Sequence, residues 1–537
     1  MAVLKNEYLQ QGRMCVVRMK QMDCVLGIDM GTGGARVGIF DLKGNPIIFC
    51  GENYPLYTPS SGRAEQAPDE WWEAVCKASR KAISTSGINP SCIKGMSLDT
   101  TCCTVLLSGD DMEPLRPAIL WMDVRASEQA KRIFESGHDA LKYNGYGMVS
   151  AECLPAKALW IKENEPELWH KSTRFYECTD WLTHKLTGEY AASINCASAR
   201  WYYNAHEGGY PVDFYKKIGL EDLVEKLPKR VVPMGEVVGK LTKQAADELG
   251  LKEGIPVGEG GADAFVGVIG LNAVQPGKMA LITGSSHLHI AQVRESIHVR
   301  GIWGSYPDCI VKGLQMTEGG QTSTGSIIEW FVKNLCGTVK ENALEEGVSV
   351  YDLLNRDAER LPVGAEGLLA LDFFQGNRTP YVDPDVRGMF YGLSLNHTPA
   401  HMYRAIIESI CYGTEAIMDV FRYSGIKLNE IVISGGAVKS PFWLQTHADV
   451  SNVPITVPKV TEGPCLGAAI LGAVAGDVYP DIQTAAESMT SVDYVVEPNA
   501  SAHDEYQFYY QKYKEFYALA KDWMHDVTMH ATGNIKR

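Results

Sequence analysis

The sequence predicts an α/β protein made of two related halves that face each other across a cleft. Three observations carry this expectation. The chain has 537 residues, too many for a single hydrophobic core, so two or more domains are expected. A strand, a small-residue turn and a second strand occur twice, in "VLGIDMGTGGARVGIFD" and in "GKMALITGSSHLHIAQV". Around both copies, strand-like and helix-like patterns alternate, as packed α/β layers require.

The first copy opens a meander. "VLGID", "ARVGIFD" and "PIIFCGENY" are joined by "MGTGG" and "LKGN", which predicts three antiparallel strands with short turns. A dinucleotide fingerprint needs a helix directly after its glycines, and "ARVGIFD" is a strand pattern instead. "APDEWWEAVCKASRKAIS" predicts an amphipathic helix, with Pro68 near its start and acids in its first turn. "IKGMSLDTTCCTVLLS" predicts strand, turn and strand. "PAKALWIKENEPELWHK" and "TDWLTHKLTG" predict helices, the second closed by Gly188. In the second half, "TSTGSIIEWFVKN" and "MYRAIIESICYGTEAIMDVFRYSG" predict helices. "NEIVISGGAVKSPFWLQTHADVSNVPITVP" predicts strand, glycine turn, helix and strand, and "GPCLGAAILGAVAG" a small-residue helix able to pack very closely. The tail places Tyr506, Tyr509, Tyr513, Phe516, Ala520 and Trp523 on one helical face, which predicts a helix docked on its own protein.

Composition narrows the partners. The formal charge is −15, and an acidic chain without basic blocks argues against nucleic acid and anionic membrane as partners. No apolar run reaches the length of a membrane span. Fourteen cysteines are scattered without any C-x-x-C pair. That spread suits free thiols in a reducing cytoplasm better than a disulfide frame or a zinc site. The first residues lack a signal-peptide h-region and read as an extension before the first strand, with Met19 or Met22 as alternative starts.

The two turns carry the chemistry. In "GIDMGTGG", Asp29 at a strand end can hold Mg²⁺ through water, while the N–H groups of Gly31, Thr32 and Gly33 cradle phosphate oxygens. Thr283, Gly284 and Ser285 in "ITGSSH" offer a second cradle. Gly435-Gly436 in "SGGAVKSP" would let a flat adenine ring lie close. Asp263 in "GGADAF" lies among small residues, where a carboxylate could accept the proton of an attacking hydroxyl; a turn or N-cap aspartate is the bland alternative. Trp121, Asp123 and Arg125 share a face if "AILWMDVRA" is extended. Trp121 would then be free to stack on a ligand, and Asp123 and Arg125 would form an internal ion pair. His287 and His289 would share one strand face, without a third ligand at metal spacing, and read as satisfied polar residues.

With these motifs in view, the chain resembles the FGGY family of carbohydrate kinases, whose fold is shared by hexokinases, actin and the heat-shock ATPases. "GIDMGTGGARVGIFD", "EQAPDEWWEA", "AILWMDVRA", "GGADAF", "ITGSS", "EGGQTSTG", "DFFQGNRTPYVDPDVRGMFYGLSL" and "VISGGAVKSPFWLQTHADV" stand in family order between about Val25 and Tyr479. The resemblance implies two ribonuclease-H-like domains, ATP with Mg²⁺ between them, and Asp263 as catalytic base. It implies an N-terminal extension over 1–23, a sugar-binding N-terminal domain over 24–270, an ATP-binding C-terminal domain over 271–490 and a docked helix within 491–537.

Within the family, "SLDTTCCTVLL" is similar to the substrate strand of the ribulokinases, where glycerol kinases carry an Arg-Glu pair and xylulokinases a Met-His pair. "SAECLPAKALWIKE" resembles the ribulokinase stretch in which a glutamate precedes a lysine by five residues, here Glu152 and Lys157. Glu152 is either a sugar contact or a partner that orients Lys157. Arg200 stands where ribulokinases place a lysine near the sugar, and contacts either the sugar or a carboxylate of its own domain. The resemblance further implies Glu318 as a sugar-binding glutamate, Gln321 near the nucleotide, and Cys102 where a small residue's backbone approaches the sugar. The expected activity is ATP-dependent phosphorylation of a ketopentose of the ribulose type, with a homodimer left open. The alternatives are xylulose, a tetritol or another polyol as substrate, or a non-catalytic sugar and ATP sensor, against which the intact "GGADAF" speaks.

Overall fold

The computed structural model describes residues 22–533, so Met19 and most of the expected extension over 1–23 lie outside the described residues. Two seven-stranded sheets dominate it. The first contains β1 (Cys24–Gly31), β2 (Gly34–Asp41), β3 (Pro46–Asn53), β4 (Ile93–Thr100), β5 (Val237–Lys240) and β6 (Pro256–Gly258), in the order β5-β6-β4-β1-β2-β3. The short strand Gly261–Ala262 pairs parallel with the end of β4. The second contains β7 (Lys278–Thr283), β8 (His287–Val293), β9 (Trp303–Pro307), β10 (Gln315–Gln321), β11 (Glu430–Gly435), β12 (Ile455–Pro458) and β13 (Val492–Val496). Their order is β9-β10-β8-β7-β11-β12-β13.

The two sheets repeat one plan. In each, the leading strand pairs antiparallel with the strand after the glycine turn and parallel with a strand from later in the chain, β4 or β11. A further parallel strand and an antiparallel edge follow, although β5 precedes its neighbour in sequence and β13 follows it. The duplicated α/β unit read from the sequence is therefore present, with the glycine turns at corresponding corners.

The helices cover these sheets for simple reasons. Helix α1 (Pro68–Ser86) starts on Pro68, has Asp69 and Glu70 in its first turn, and ends on Gly87 in the left-handed region. It buries Trp71, Trp72, Ala74, Val75 and Ala78, a spacing that faces one side of a 3.6-residue helix. Helices α2 (Leu154–Asn164), α3 (Ile194–Arg200) and α4 (Asp263–Gly270) carry site residues from the first half. Helices α5 (Pro399–Tyr423) and α6 (Pro441–Ser451) pack in the second half.

Helix α7 (Gly463–Ala475) comes from the second half of the chain but lies on β1 and β4 of the first sheet, beside α4. Residues 463–489 thus sit with the first sheet, inside the range expected to form the C-terminal domain, and the chain returns to the second sheet only at β13. Small residues make this seam. A Cβ at Gly467 would lie 2.1 Å from the Val266 carbonyl oxygen, and one at Gly27 would lie 2.1 Å from that of Cys465. Only glycine admits backbones this close.

Helix α8 (Ala500–Ala531) docks on the second half as the tail pattern predicts, with one correction. Tyr506, Tyr510, Tyr513, Met524 and Thr528 are its buried residues, whereas Trp523 is 60% exposed. Steps of 3.6 residues from Tyr506 reach position 524, so the face rotates past Trp523. Phe516 stacks on Tyr391 and Tyr517 on Tyr381, and the Tyr513 hydroxyl donates to Asp372 at 2.7 Å. None of the thirteen described cysteines is in a disulfide. No helix of the described residues is long and apolar enough to cross a membrane.

Candidate active site

The first glycine turn, between β1 and β2, sets Asp29 against two register neighbours. Arg36 lies opposite on β2 and Asp99 opposite on β4. Asp29 is buried and its carboxylate is 3.1 Å from the Arg36 guanidinium, which also contacts Glu462. Asp99 is fully buried and neither carboxylate oxygen has a hydrogen-bond partner among the described residues. Burial, reinforced by Asp29 and Asp263, holds its pKa well above the usual carboxylate range. Burial raises Asp29 as well, with Arg36 opposing the rise. Orphaned buried carboxylate oxygens beside a glycine turn are a donor set fit for a hard divalent cation.

The second turn and the adenine candidate lie side by side, because β7 and β11 are parallel with Thr283 opposite Gly435. The Thr283 hydroxyl donates to the Ser434 carbonyl at 2.6 Å and accepts from the Ala437 N–H at 3.1 Å. Gly435 has φ 92°, and a Cβ there would lie 1.8 Å from the Thr283 carbonyl oxygen. Nothing lies within 4 Å of a Cβ built on Gly436, so its face is open. Gly284 and Ser285 are exposed at the tip.

Between the turns is a cavity of about 300 Å³ lined from both halves. It brings together Thr32, Cys102, Glu152, Arg200, Asp263 and Glu318, and adds Thr101, Trp121, Phe265, Leu288 and Arg378. Asp263 is the first residue of α4, and the Ala264 N–H donates to it at 2.6 Å. Burial, helped by Asp29, raises its pKa from 3.8 to about 6 despite that bond. Arg200 ends α3, 2.7 Å from the Glu318 carboxylate on β10, and donates to the Tyr306 hydroxyl at 2.9 Å. Its carboxylate partner therefore comes from the opposite half. Trp121 is 38% exposed, and its indole N–H donates to the Thr32 hydroxyl at 3.1 Å, tying this wall of the cavity to the first glycine turn.

Other expectations resolve differently. Lys157 is fully buried and donates to the carbonyls of Cys103 and Leu120, the latter at 2.7 Å, so it braces the loops behind Cys102 and Trp121. Glu152 is left facing the cavity. Asp123 and Arg125 form the expected internal pair at 2.7 Å, joined by Glu65. Gln321 is buried in a side-chain network of the second half. Its amide donates to Asp372 at 2.8 Å and to the Ile410 carbonyl at 3.0 Å, and accepts from Thr414 at 3.0 Å. Both N–H groups of the amide and one lone pair of its oxygen are thus engaged inside the second half. His289 accepts or donates at Thr414, but His287 departs from the satisfied state expected of it. It stacks on Trp443, with neither ring nitrogen hydrogen-bonded among the described residues. No group of three His, Cys, Asp or Glu among the described residues could hold a metal.

Sequence reasoning passed over Asp99, Arg378, Trp303 and Tyr306. The first had a signal: "SLDTT" is a strand, and a strand paired with β1 would set its aspartate level with Asp29. The others come from segments that meet the cavity only through the second sheet.

Two lobes of one sheet plan, glycine turns at corresponding corners and a carboxylate-lined cavity between them define a two-lobed kinase of small polar substrates. The N-terminal and C-terminal domain descriptions of the FGGY family of carbohydrate kinases match residues 24–270 and 279–476, and the chain belongs to that family. It is 34% identical over 534 residues to an FGGY carbohydrate kinase domain-containing protein of Xenopus laevis, covering 92% of this chain and 96% of that one. It is 33% identical over 529 residues to a ribulokinase of Anoxybacillus flavithermus, covering 92% and 94%. The crystal structure of a xylulose kinase from Rhodospirillum rubrum shares the fold, with a TM-score of 0.83, 24% identity, and coverage of 94% and 100%. The protein is a carbohydrate kinase with the two-domain actin/hexokinase-type fold.

Proposed function

We propose that the protein transfers the γ-phosphoryl group of ATP to the terminal hydroxyl of a ketopentose of the ribulose type. The observation that carries this reading is the shared cavity, in which Asp263 stands with Glu152, Arg200, Glu318 and Cys102 beside Thr32 of the first phosphate turn. Asp263 accepts the proton as the hydroxyl oxygen bonds to phosphorus. The bond from phosphorus to the bridging oxygen breaks and ADP leaves with its electron pair. A carboxylate with a pKa of about 6 is ionised at neutral pH yet basic enough to take that proton. The turns at 31–33 and 283–285 hold phosphate oxygens through backbone N–H groups, and Gly435 and Gly436 leave room for adenine. Asp29, with Asp99 behind it, would hold Mg²⁺, which supplies charge neutralisation on the phosphates when bound.

Glu152, Glu318 and Arg200 supply acceptors and donors at fixed angles, so a sugar with a misplaced hydroxyl would leave buried groups unpaired. Arg200 is already committed to Glu318 and Tyr306. That commitment favours a second reading, in which the same chemistry acts on xylulose, a tetritol or another polyol. Thirteen described cysteines outside any disulfide, with the acidic charge, support a cytoplasmic enzyme. Steady-state assays with ATP on D- and L-ribulose, D- and L-xylulose and erythritol decide the substrate. A ribulose isomer should show the highest kcat/KM, and equal turnover of xylulose and ribulose would overturn the preference.

A further inference from the structure

Arg378 stands apart from every other cation of the cavity. Its guanidinium carbon lies 4.5 Å from the centre of the Trp303 ring. Among the described residues it has no ion pair and no hydrogen-bond acceptor. Arg200, 5.2 Å from the same ring, is neutralised by Glu318 at 2.7 Å. Arg36, at the first phosphate turn, is paired with Asp29 and Glu462. Stacking on an indole fixes the plane of a guanidinium while leaving its N–H edges free.

The sheet register says where those edges are. On β10, Glu318 and Gly320 are two apart and share a face. A Cβ on Gly320 would lie 3.5 Å from the Arg378 Cδ and 3.6 Å from a terminal nitrogen, so the side chain crosses the sheet over Gly320. Gly320 is opposite Leu288, which is opposite Ile282, the residue before Thr283. Glu318 is one step further back, level with Ile290 and Ala280. Arg378 therefore sits about 7 Å along the strand from Glu318, on the side of the second phosphate turn. Its backbone is pinned there. The Thr379 hydroxyl donates to the Gly301 carbonyl at 2.8 Å and accepts from the Gly320 N–H at 3.2 Å.

We propose that Arg378 is a catalytic residue that binds the phosphoryl group in flight between nucleotide and sugar, supplying a charged fork to its oxygens. An unpaired guanidinium fixed against a ring at a cavity wall gains most from an anionic ligand, and neutral sugar hydroxyls do not neutralise it. The proposal rests on the kinase reading of the cavity, with Asp263 on the acceptor side and the turn at 283–285 on the donor side. The covalent change is the one already written: the O–P bond forms, the P–O bond to ADP breaks, the proton goes to Asp263. Arg378 forms no bond and takes no proton.

The test is steady-state kinetics of Arg378→Gln and Arg378→Lys on the best pentulose, with ATP and Mg²⁺. Arg378→Gln should lose kcat by about 10²–10³-fold while KM for the sugar stays within about threefold. Added guanidinium should restore part of the lost turnover. Arg378→Lys keeps the charge and the bulk, which protects the fold, but loses the two-pronged geometry, and should lose kcat by about tenfold. A tenfold rise in sugar KM with kcat retained would make Arg378 a hydroxyl-binding residue and overturn the proposal. Unchanged kinetics in both variants would overturn it as well. Failure of the underlying kinase reading would be seen separately, as absent pentulose turnover in the unsubstituted protein.

Discussion

Asp263→Asn separates chemistry from stability at one atom. The carboxylate is desolvated, and its pKa in the folded protein is raised from 3.8 to about 6. A raised carboxylate pKa means the folded state binds the proton more tightly than the unfolded chain. Stability contributed by this group is therefore fullest at low pH, falls as pH rises through the window from 3.8 to about 6, and is constant above it. At about 1.4 kcal/mol for each pH unit, the ionised group destabilises the fold by about 3 kcal/mol at pH 8. Solvent entering the open cavity shares that charge, so the expected gain from Asn is about 1–3 kcal/mol. Asn keeps an oxygen to accept the Ala264 N–H and carries no charge to bury. Calorimetry at pH 8 should show the transition of Asp263→Asn about 1–6 °C above the parent, with a much smaller difference at pH 4. The same variant should lose kcat by about 10²–10⁴-fold, because the attacking hydroxyl has no proton acceptor. A variant that is inactive but less stable at pH 8 would refute the account of a penalised carboxylate. A variant that turns over normally would refute the base itself.

Two further outcomes follow from particular contacts. The rate should depend on one ionisation near pH 6, with kcat/KM falling about tenfold for each unit below it, since protonated Asp263 cannot accept a proton; a flat profile from pH 5 to 8 would count against the assignment. Gly467→Ala places a methyl group 2.1 Å from the Val266 carbonyl oxygen on the α4–α7 seam, so it should destabilise by about 1–3 kcal/mol through overpacking, read as a lowered urea midpoint.

The sequence made the local features legible and left the distant ones hidden. Strand, turn and strand around Asp29 and around Thr283 involve neighbours in the chain, and their residue types force them. The pairing of β1 with β4 is long-range, and the patterns do not encode which aspartates become level, so Asp99 escaped notice. Glu318 and Arg200 were each legible as polar candidates, but their mutual ion pair depends on how one lobe approaches the other. Helix α7 was legible as a close-packing helix from its glycines and alanines. That it packs on the opposite half could not be read, because small-residue faces carry no address. Gln321 is placed near the nucleotide by resemblance alone, and its buried network with Asp372, Ile410 and Thr414 depends on long-range packing that no local pattern encodes.

The ion pairs of the site act by what they leave alone. Asp263 begins a helix, where the N-terminal dipole favours a charged carboxylate, and a guanidinium paired with it would lower its pKa by about 1–3 units. Either effect unopposed would make it a poor proton acceptor. Arg200 is drawn off by Glu318, and Arg36 by Asp29 and Glu462, so neither neutralises Asp263, and burial sets its basicity. Arg378 is kept from the cavity carboxylates by its stack on Trp303. In the proposed reaction the unpaired base would face the acceptor hydroxyl and the unpaired cation the phosphoryl group in transfer. Charges of opposite sign left unpaired in one cavity would collapse onto each other unless each were held by a rigid element. Helix α4 holds Asp263, and the Trp303 ring with the Thr379 hydrogen bonds holds Arg378.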